Sequence, residues 1–211
     1  MTPRNDPHNG PHAYTVTDSR RVFTGRVLAV RSDQVSMPGD VSSQRDVVEL
    51  PGAVGIVAVD DLGRVLLVRQ YRHPMGRRLW EIPAGLLDST SESAVDAATR
   101  ELAEEGHLLA AEWSTLVDSL TSPGMSDETV RVLLARGLTE IPEPERSVGL
   151  HEEAEMEQSW VTMDEAVERC LSGDLENGIT LAGILAAHIA LSGGTPRLRP
   201  ADAPWSARKR P

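Results

Sequence analysis

Residues 85–108 read GLLDSTSESAVDAATRELAEEGHL, and this segment sets the interpretation of the rest of the chain. Between residues 91 and 105 it is rich in Ala and Glu and contains neither Pro nor Gly, which favours a helix. Ser89 and Glu92 fit the S-x-x-E capping box, in which each side chain satisfies a backbone N–H at the start of a helix. These signals predict a helix that begins near residue 90 and stops at Gly106.

The faces of this helix place two carboxylates beside the core. At roughly 100° per residue, one apolar stripe contains Val95, Ala98 and Leu102. Glu101 and Glu105 lie about 40° apart and flank that stripe, whereas Glu104 points farther round, beside Arg100. Two crowded glutamates repel each other, and a hard cation such as Mg²⁺ or Mn²⁺ suits their oxygen atoms. A purely solvated helix face is the alternative interpretation.

The segment resembles the Nudix box, G-x5-E-x7-R-E-U-x-E-E-x-G-U, in which U is an aliphatic residue. The residues that match in type and spacing are Glu92, Arg100, Glu101, Leu102, Glu104, Glu105 and Leu108. Two positions depart from it: six residues instead of five separate Gly85 from Glu92, and His107 stands where the box has glycine. The first departure lies ahead of the helix. The second concerns the helix C-cap, which usually takes Gly, so we expect it to affect stability and not chemistry.

The resemblance implies a metal-dependent hydrolase. In this family the box glutamates that correspond to Glu101 and Glu105 hold Mg²⁺ or Mn²⁺, together with the backbone carbonyl of the residue that corresponds to Ala84. A non-catalytic Nudix-fold nucleotide sensor is an alternative from a different class of protein. Loss of the box carboxylates would mark such a sensor, and here all of them are present.

Three further segments resemble the ADP-ribose pyrophosphatase branch of this family, namely RQYR at residues 69–72, WEIPAG at residues 80–85 and SPGMSDE at residues 122–128. The branch carries a proline some fifteen residues beyond the box, and Pro123 stands fifteen residues after Leu108. The resemblance implies that this loop, with Gly124, shapes the pocket for the terminal ribose. Pro-Gly is also an ordinary hairpin signal.

The same branch takes its catalytic base from a late loop. Residues 139–155 read TEIPEPERSVGLHEEAE and offer Glu152, Glu153 and Glu155. We favour Glu153, which would also contact the metal, with Glu152 second and Glu104 on the box helix as the alternative. The expected reaction is hydrolysis of ADP-ribose to AMP and ribose 5-phosphate; a diphosphatase for another nucleoside diphosphate sugar is the alternative enzyme.

Alternation along residues 64–72 predicts a strand that carries substrate-binding candidates. Arg69 and Tyr71 share one face of this strand, and Arg72 lies on the other. Arg72 is favoured as the ligand of a substrate phosphate because it is nearest the box, while Arg69 and Tyr71 remain candidates. The alternative is that both arginines are solvated cations at a strand edge.

The order of elements predicts an α/β protein of two parts. Residues 15–50 are rich in β signals and form a small N-terminal β appendage. Residues 51–192, which begin with a hairpin at residues 53–71, form a Nudix-type α/β/α sandwich with a mixed sheet. Residues 1–14 and 193–211 are polar and rich in Pro and Gly or Arg, so both are expected to be disordered. Because two or three strands alone are marginal in water, the appendage is expected to pack on a second subunit and form a homodimer.

Composition limits the possible partners. The 211 residues are 40% hydrophobic and 25% charged, with a net charge of −11. This acidity makes a nucleic acid an improbable partner and agrees with a metal bridging an anionic small molecule. A single cysteine, Cys170, fits a reducing cytoplasm. A polar N-terminus and the lack of a run of ~20 apolar residues also favour a cytoplasmic protein with no membrane partner.

Overall fold

The computed structural model describes residues 13–39, 41–89, 91–146, 155–193 and 198–208. It divides into two compact units. The first contains the described chain up to Pro51 together with Ser122–Glu128, and the second contains the described residues from Gly52 to Thr121 and from Thr129 onward. Residues 1–12, which belong to the N-terminal segment expected to be disordered, lie outside the described residues. Glu152 and Glu153 of the late loop lie outside them as well.

The first unit is a three-stranded antiparallel sheet of consecutive strands, β1 (Val16–Thr24), β2 (Ala29–Met37) and β3 (Val41–Glu49). The loop at Ser122–Glu128, which carries Pro123 and Gly124, belongs to this unit. It is held along β3, where the Val48 N–H donates to the Met125 carbonyl at 2.8 Å. These three strands occupy the segment in which the sequence indicates a β appendage, residues 15–50.

The second unit contains two sheets and three helices. In chain order its elements are β4 (Ala53–Ala58), β5 (Arg64–Arg72), β6 (Arg77–Glu81), β7 (Ala84–Leu86), α1 (Ala94–Gly106), β8 (Leu108–Leu120), β9 (Thr129–Glu140), β10 (Glu157–Thr162), α2 (Met163–Ser172), α3 (Gly178–Leu191) and β11 (Arg199–Pro200). A mixed sheet has the order β11-β8-β9-β4-β7, and an antiparallel sheet has the order β10-β5-β6. Only β4 and β9 run parallel among these described strands.

Adjacent residues of the central strands face two different cores. Val57 on β4 packs in a cluster with Ile184 of α3, whereas its neighbour Ile56 packs with Leu102 of α1. The side chains of β5 and β9 divide between the two clusters in the same way. One layer is therefore α1 and the opposite layer is α2 with α3, which confirms the predicted α/β/α sandwich with a mixed sheet.

The predicted hairpin at residues 53–71 is wrong in its pairing. The turn is where it was expected, because the Gly63 N–H donates to the Asp60 carbonyl at 3.0 Å and Gly63 has φ 74°. However, one isolated bridge between Val59 and Val65 is the only pairing described between the two arms. Five of the six residues of β4 are buried. A strand buried on both faces is typical of a sheet interior covered by helices on both sides, and β4 accordingly lies between β9 and β7.

Helix α1 begins later than its sequence predicts. Its N-cap is Ser93, whose hydroxyl accepts a hydrogen bond from the Asp96 N–H at 3.0 Å. Ser89 and Glu92 do bond to each other, with the Glu92 N–H donating to Ser89 Oγ at 3.1 Å, but they form a turn ahead of the helix. The helix starts after Ser93 because Ala94 is the first helical residue that the core buries.

The prediction of a disordered tail at residues 193–211 is wrong for residues 198–208. Residues Arg199–Pro200 pair with β8 as strand β11. Trp205 packs against the core cluster under α1 and donates from Nε1 to Thr129 Oγ1 at 2.9 Å. The prediction failed because it rested on the average composition of the tail, whereas a single aromatic side chain, Trp205, anchors this segment.

The C-terminal cap of α1 explains the displaced glycine of the box. His107 has φ 56° and ψ 36°, and its N–H donates to the Leu102 carbonyl. A Cβ at Gly106 would lie 3.0 Å from Leu66 Cδ2, so the helix needs its glycine one position early to pack against β5. The left-handed position then falls to His107, whose buried Nδ1 has no hydrogen-bond partner among the described residues.

We expect His107→Gly to raise the free energy of unfolding by about 1 kcal/mol, because glycine adopts the left-handed conformation without a Cβ penalty. For a chain of this size, that corresponds to about 2–4 °C in Tm. Thermal and urea denaturation measure the change. Gly106→Ala is the matched control and should destabilise the protein through contact with Leu66 and Leu102. A lower Tm for His107→Gly would instead show that the imidazole contributes packing worth more than the backbone strain.

Candidate active site

Two buried glutamates of α1 lie against the bend that carries β7. Glu101 and Glu105 are only 8% and 7% exposed. The Ala84 N–H donates to Glu105 Oε2 at 2.9 Å. At Gly85 an added Cβ would lie 1.9 Å from Glu101 Oε1, so only glycine leaves room for this carboxylate. The structure therefore brings together Ala84, Glu101 and Glu105, the three residues that the box resemblance placed in a metal site.

A residue that sequence reasoning missed holds the end of the helix. Gln158 on β10 donates from Nε2 to the backbone carbonyl of Glu105 at 2.6 Å. The last carbonyls of a helix lack partners within the helix, and this bond satisfies one of them. Because the acceptor is a backbone atom, the side chain of residue 105 gives no sign of this contact. Only the alternation of β10, which puts Gln158 on the same face as Trp160, could have indicated it.

Arg100 links the helix to the loop ahead of it. Its guanidinium donates to Glu101 Oε1 at 2.6 Å and to the Leu86 carbonyl at 3.1 Å. It also lies 3.4 Å from both Glu92 and Glu104, so the expected Arg100–Glu104 pair is present but is not the shortest. Burial acts to lower the pKa of Arg100, yet the hydrogen bond and charge of Glu101 outweigh it and raise the pKa above its usual range.

Arg72 forms a tight ion pair on the same side of the unit. Its Nε and Nη2 donate to the Glu81 carboxylate at 3.0 Å and 2.6 Å, and Glu81 is only 1% exposed. The hydrogen bonds to Glu81 raise the pKa of Arg72; burial opposes them, and the negative charges of Glu81 and Glu105 add to the rise. Arg72 is thus already paired, although 38% of its side chain stays exposed and leaves part of the guanidinium accessible.

We expect Arg72→Ala to lower the free energy of unfolding by about 3 kcal/mol, the lower end of the range for breaking a buried pair, because Glu81 would remain buried without its cation. Chemical denaturation measures the loss. The double variant Arg72→Met with Glu81→Leu removes both charges and should recover most of it. If Arg72→Ala is as stable as the wild type and loses only substrate affinity, the pair with Glu81 is incidental and Arg72 serves the substrate alone.

The other predicted substrate residues lie on β5 and in the loop at Ser122–Glu128. Arg69 and Tyr71 lie on the face of β5 opposite Arg72; Arg69 pairs with Glu157 at 3.4 Å, and Tyr71 is 40% exposed. Pro123 and Gly124 belong to the first unit. The roles of these four residues in substrate binding stay predictions.

The late loop is described only at its ends. Glu155 forms an ion pair with Arg78, whose Nη1 also donates to the Glu155 carbonyl at 3.1 Å. Glu152 and Glu153 lie outside the described residues. The carboxylate of Glu155 is thus engaged by Arg78.

The donors present fit a hard divalent cation. The carboxylates of Glu101 and Glu105 are oxygen ligands, and the close approach of Glu101 to Gly85 leaves them beside the Ala84 backbone. Mg²⁺ and Mn²⁺ prefer carboxylate, carbonyl and water oxygens. Within the described residues there is no cluster of three or more His, Cys, Asp and Glu side chains able to hold a metal, so a backbone carbonyl and a further residue would have to complete the site.

The fold and the box define the class of protein: residues 49–179 match the NUDIX domain, and the chain belongs to this family and is a Nudix hydrolase. It is 49% identical over 197 residues to an ADP-ribose pyrophosphatase of Mycobacterium tuberculosis, a match that covers 93% of both chains. It is 34% identical over 164 residues to an ADP-ribose pyrophosphatase of Bacillus subtilis, covering 78% of this chain and 86% of the relative.

A solved structure supports the same fold. The crystal structure of an ADP compounds hydrolase matches with a TM-score of 0.74 and covers 85% of this chain and 95% of its own. At 20% sequence identity, this likeness concerns the fold alone. None of the helices in the described ranges has the length and apolar character needed to cross a membrane.

Proposed function

We propose that this chain hydrolyses the diphosphate linkage of ADP-ribose to AMP and ribose 5-phosphate. The observation that carries this proposal is the 49% identity to an ADP-ribose pyrophosphatase across 93% of both chains. The Nudix box of this chain, at residues 85–108, contains every carboxylate of the family pattern. The substrate is thus a small nucleoside diphosphate sugar, handled by a protein that we place in the cytoplasm.

The chemistry requires neutralised charge, a positioned water and a base, because the diphosphate oxygens repel an incoming hydroxide. We assign Glu101, Glu105 and the Ala84 carbonyl as the ligands of Mg²⁺ or Mn²⁺. When bound, the ion would neutralise the diphosphate and polarise its phosphoryl oxygens. The hydrogen bond from the Ala84 N–H to Glu105, at 2.9 Å, supports this assignment because it holds the carboxylate against the backbone that carries the Ala84 carbonyl.

We assign the base to Glu153, with Glu152 second. The base removes a proton from the attacking water, and Glu153 would also contribute to the metal site. Glu104 on α1 is the alternative, although it is turned toward Arg100, 3.4 Å away.

We also propose a homodimer formed through the first unit. Five apolar side chains of its strands and turns, each about half exposed, support this: Val16, Val22, Phe23, Val27 and Val41. Every residue of β1 is exposed, so this strand contributes little to a core of its own. Sedimentation at micromolar concentration should give twice the 22.9 kDa mass of the chain; a fully active monomer would contradict it.

A substrate panel tests the proposed function. Turnover of ADP-ribose, ADP-glucose and diadenosine polyphosphates is compared in Mg²⁺, and kcat/KM is expected to be highest for ADP-ribose. A higher value for ADP-glucose would favour a diphosphatase of another nucleoside diphosphate sugar. Binding of ADP-ribose without any turnover would instead identify a sensor.

A further inference from the structure

Residues 198–208, here called the C-terminal strap, are fastened to the mixed sheet by a buried arginine. Arg131 on β9 is 2% exposed and donates to both oxygens of Asp118 at 2.7 Å and 3.0 Å. Its remaining N–H groups reach the strap, donating to the carbonyls of Ala203 at 2.7 Å and Pro204 at 3.2 Å. A guanidinium with five donors in a fixed fork thus ties the strap to the sheet interior.

Trp205, in the middle of the strap, contacts both the mixed sheet and the core cluster under α1. Two guanidinium groups lie over its ring, that of Arg131 at 5.0 Å and that of Arg208 at 5.8 Å from the ring centroid. Its Nε1 donates to Thr129 Oγ1, and its apolar body packs on the cluster that contains Leu102 of α1. The face of an indole attracts a guanidinium placed over it, so Trp205 helps to orient Arg208.

Arg208 ends the described strap on the loop ahead of α1. Its Nη2 donates to the Glu92 carbonyl at 2.6 Å and to the Ser89 carbonyl at 3.4 Å. The Glu92 side chain in turn accepts from the Asp88 N–H at 2.7 Å and lies 3.4 Å from Arg100. Hydrogen bonds therefore run from the strap through the loop to Arg100.

The last contact in this series reaches the site itself. Arg100 donates to Glu101 Oε1 at 2.6 Å, and Glu101 is one of the two buried carboxylates beside the bend. Asp88, Ser89 and Ser91 are exposed, so little apolar burial holds the loop. Loops with few buried contacts open readily, and an external hydrogen bond to their backbone restricts that motion.

We propose that the C-terminal strap is a positioning element of the active site, in which Arg208 holds the backbone of Ser89 and Glu92 so that Arg100 keeps Glu101 in its metal-binding orientation. This inference rests on the proposed function for the identity of Glu101 as a metal ligand. Arg208 does not touch the substrate or the metal and acts only through Glu92 and Arg100. Partners that contact a metal ligand directly are typically worth ~10–100-fold in affinity, and Arg208 stands farther away.

The test uses the full chain and the variants Arg208→Ala, Arg208→Lys and Lys209→Ala. The last is the matched control, because it removes the same charge from the adjacent position. Mn²⁺ binding without substrate is measured by electron paramagnetic resonance, and backbone hydrogen exchange is followed at residues 86–93 relative to β9. We expect Arg208→Ala to weaken Mn²⁺ binding about 3–10-fold and to speed exchange in the loop. Lysine should restore most of both, and Lys209→Ala should change neither.

The outcomes separate this inference from the proposed function. If the wild type binds no Mn²⁺, the metal assignment fails, whatever the strap does. If the wild type binds Mn²⁺ and Arg208→Ala binds it equally well, the strap does not position the site, and faster loop exchange would then make its role structural only. If Arg208→Ala lowers the global stability, exchange should speed up in β9 as well as in the loop. The ratio of the two rates therefore still reports on the loop alone.

Discussion

Glu105→Gln is expected to lower kcat by ~10²-fold or more, a loss of roughly 3 kcal/mol in barrier lowering. The amide keeps the shape of the side chain but removes the charge that faces the metal. It also replaces an acceptor of the Ala84 N–H, now at 2.9 Å from Oε2, with a weaker neutral one. Turnover of ADP-ribose is measured across a Mg²⁺ titration, and high Mg²⁺ should partly restore the rate.

Glu168→Gln is the matched control for this variant. Glu168 is exposed on α2, so its neutralisation changes the net charge equally without touching the site. It should leave kcat and the Mg²⁺ dependence unchanged. A Glu105→Gln enzyme with wild-type kcat at low Mg²⁺ would remove Glu105 from the metal ligands.

Glu153→Gln is expected to lower kcat by ~10²–10⁴-fold, the range that a general base typically contributes. Unlike the loss at Glu105, this loss should persist at any Mg²⁺ concentration, since metal cannot replace a proton acceptor. Substrate affinity, measured by calorimetry with ADP-ribose, should remain close to that of the wild type. The contrast between the two Mg²⁺ titrations separates a residue that only holds the metal from one that also accepts the proton.

The neighbouring glutamates provide the controls. If Glu153→Gln stays near the wild-type rate while Glu152→Gln is inactive, the base is assigned to the wrong residue of the correct loop. Glu155→Gln should be active, because that carboxylate is bonded to Arg78. If all three single variants keep their activity, the base lies outside the loop, and Glu104 becomes the residue to replace.

The catalytic helix was predictable because several local signals agree there. Helix propensity, the apolar stripe through Leu102 and the spacing of the box all indicate the same element, and burial of Glu101 and Glu105 follows from their angle to that stripe. The exact start was not predictable, because Ser89 and Ser93 each stand three residues before an acidic residue. Packing of Ala94 into the core decides between them.

The pairing of strands could not be read from the same local patterns. A turn at residues 60–63 between two apolar runs predicts a hairpin, but long-range partners compete for both runs. β4 is buried on both faces and takes β9 as a parallel neighbour from about 75 residues later in the chain. No periodicity within β4 specifies that partner.

The contacts of the strap and of Arg72 were hidden for a similar reason. Arg208 and Gln158 both donate to backbone carbonyls. Because every residue has such a carbonyl, the sequence does not indicate which residue accepts the hydrogen bond. Glu81 looks like an ordinary polar residue in WEIPAG. In the structure it stands opposite Val68 on β5, is buried, and accepts hydrogen bonds from Arg72 four residues farther along that strand. Tertiary placement, not composition, gives these side chains their roles.

Product analysis by ³¹P nuclear magnetic resonance tests the central claim most directly. The enzyme is incubated with ADP-ribose, first in the presence of a chelator and then with Mg²⁺ in excess. We predict that AMP and ribose 5-phosphate accumulate in equal amounts only after Mg²⁺ is added, and that no inorganic phosphate is released. Intact ADP-ribose after Mg²⁺ addition, or products that form at the same rate in the chelator, would contradict a metal-dependent ADP-ribose diphosphatase.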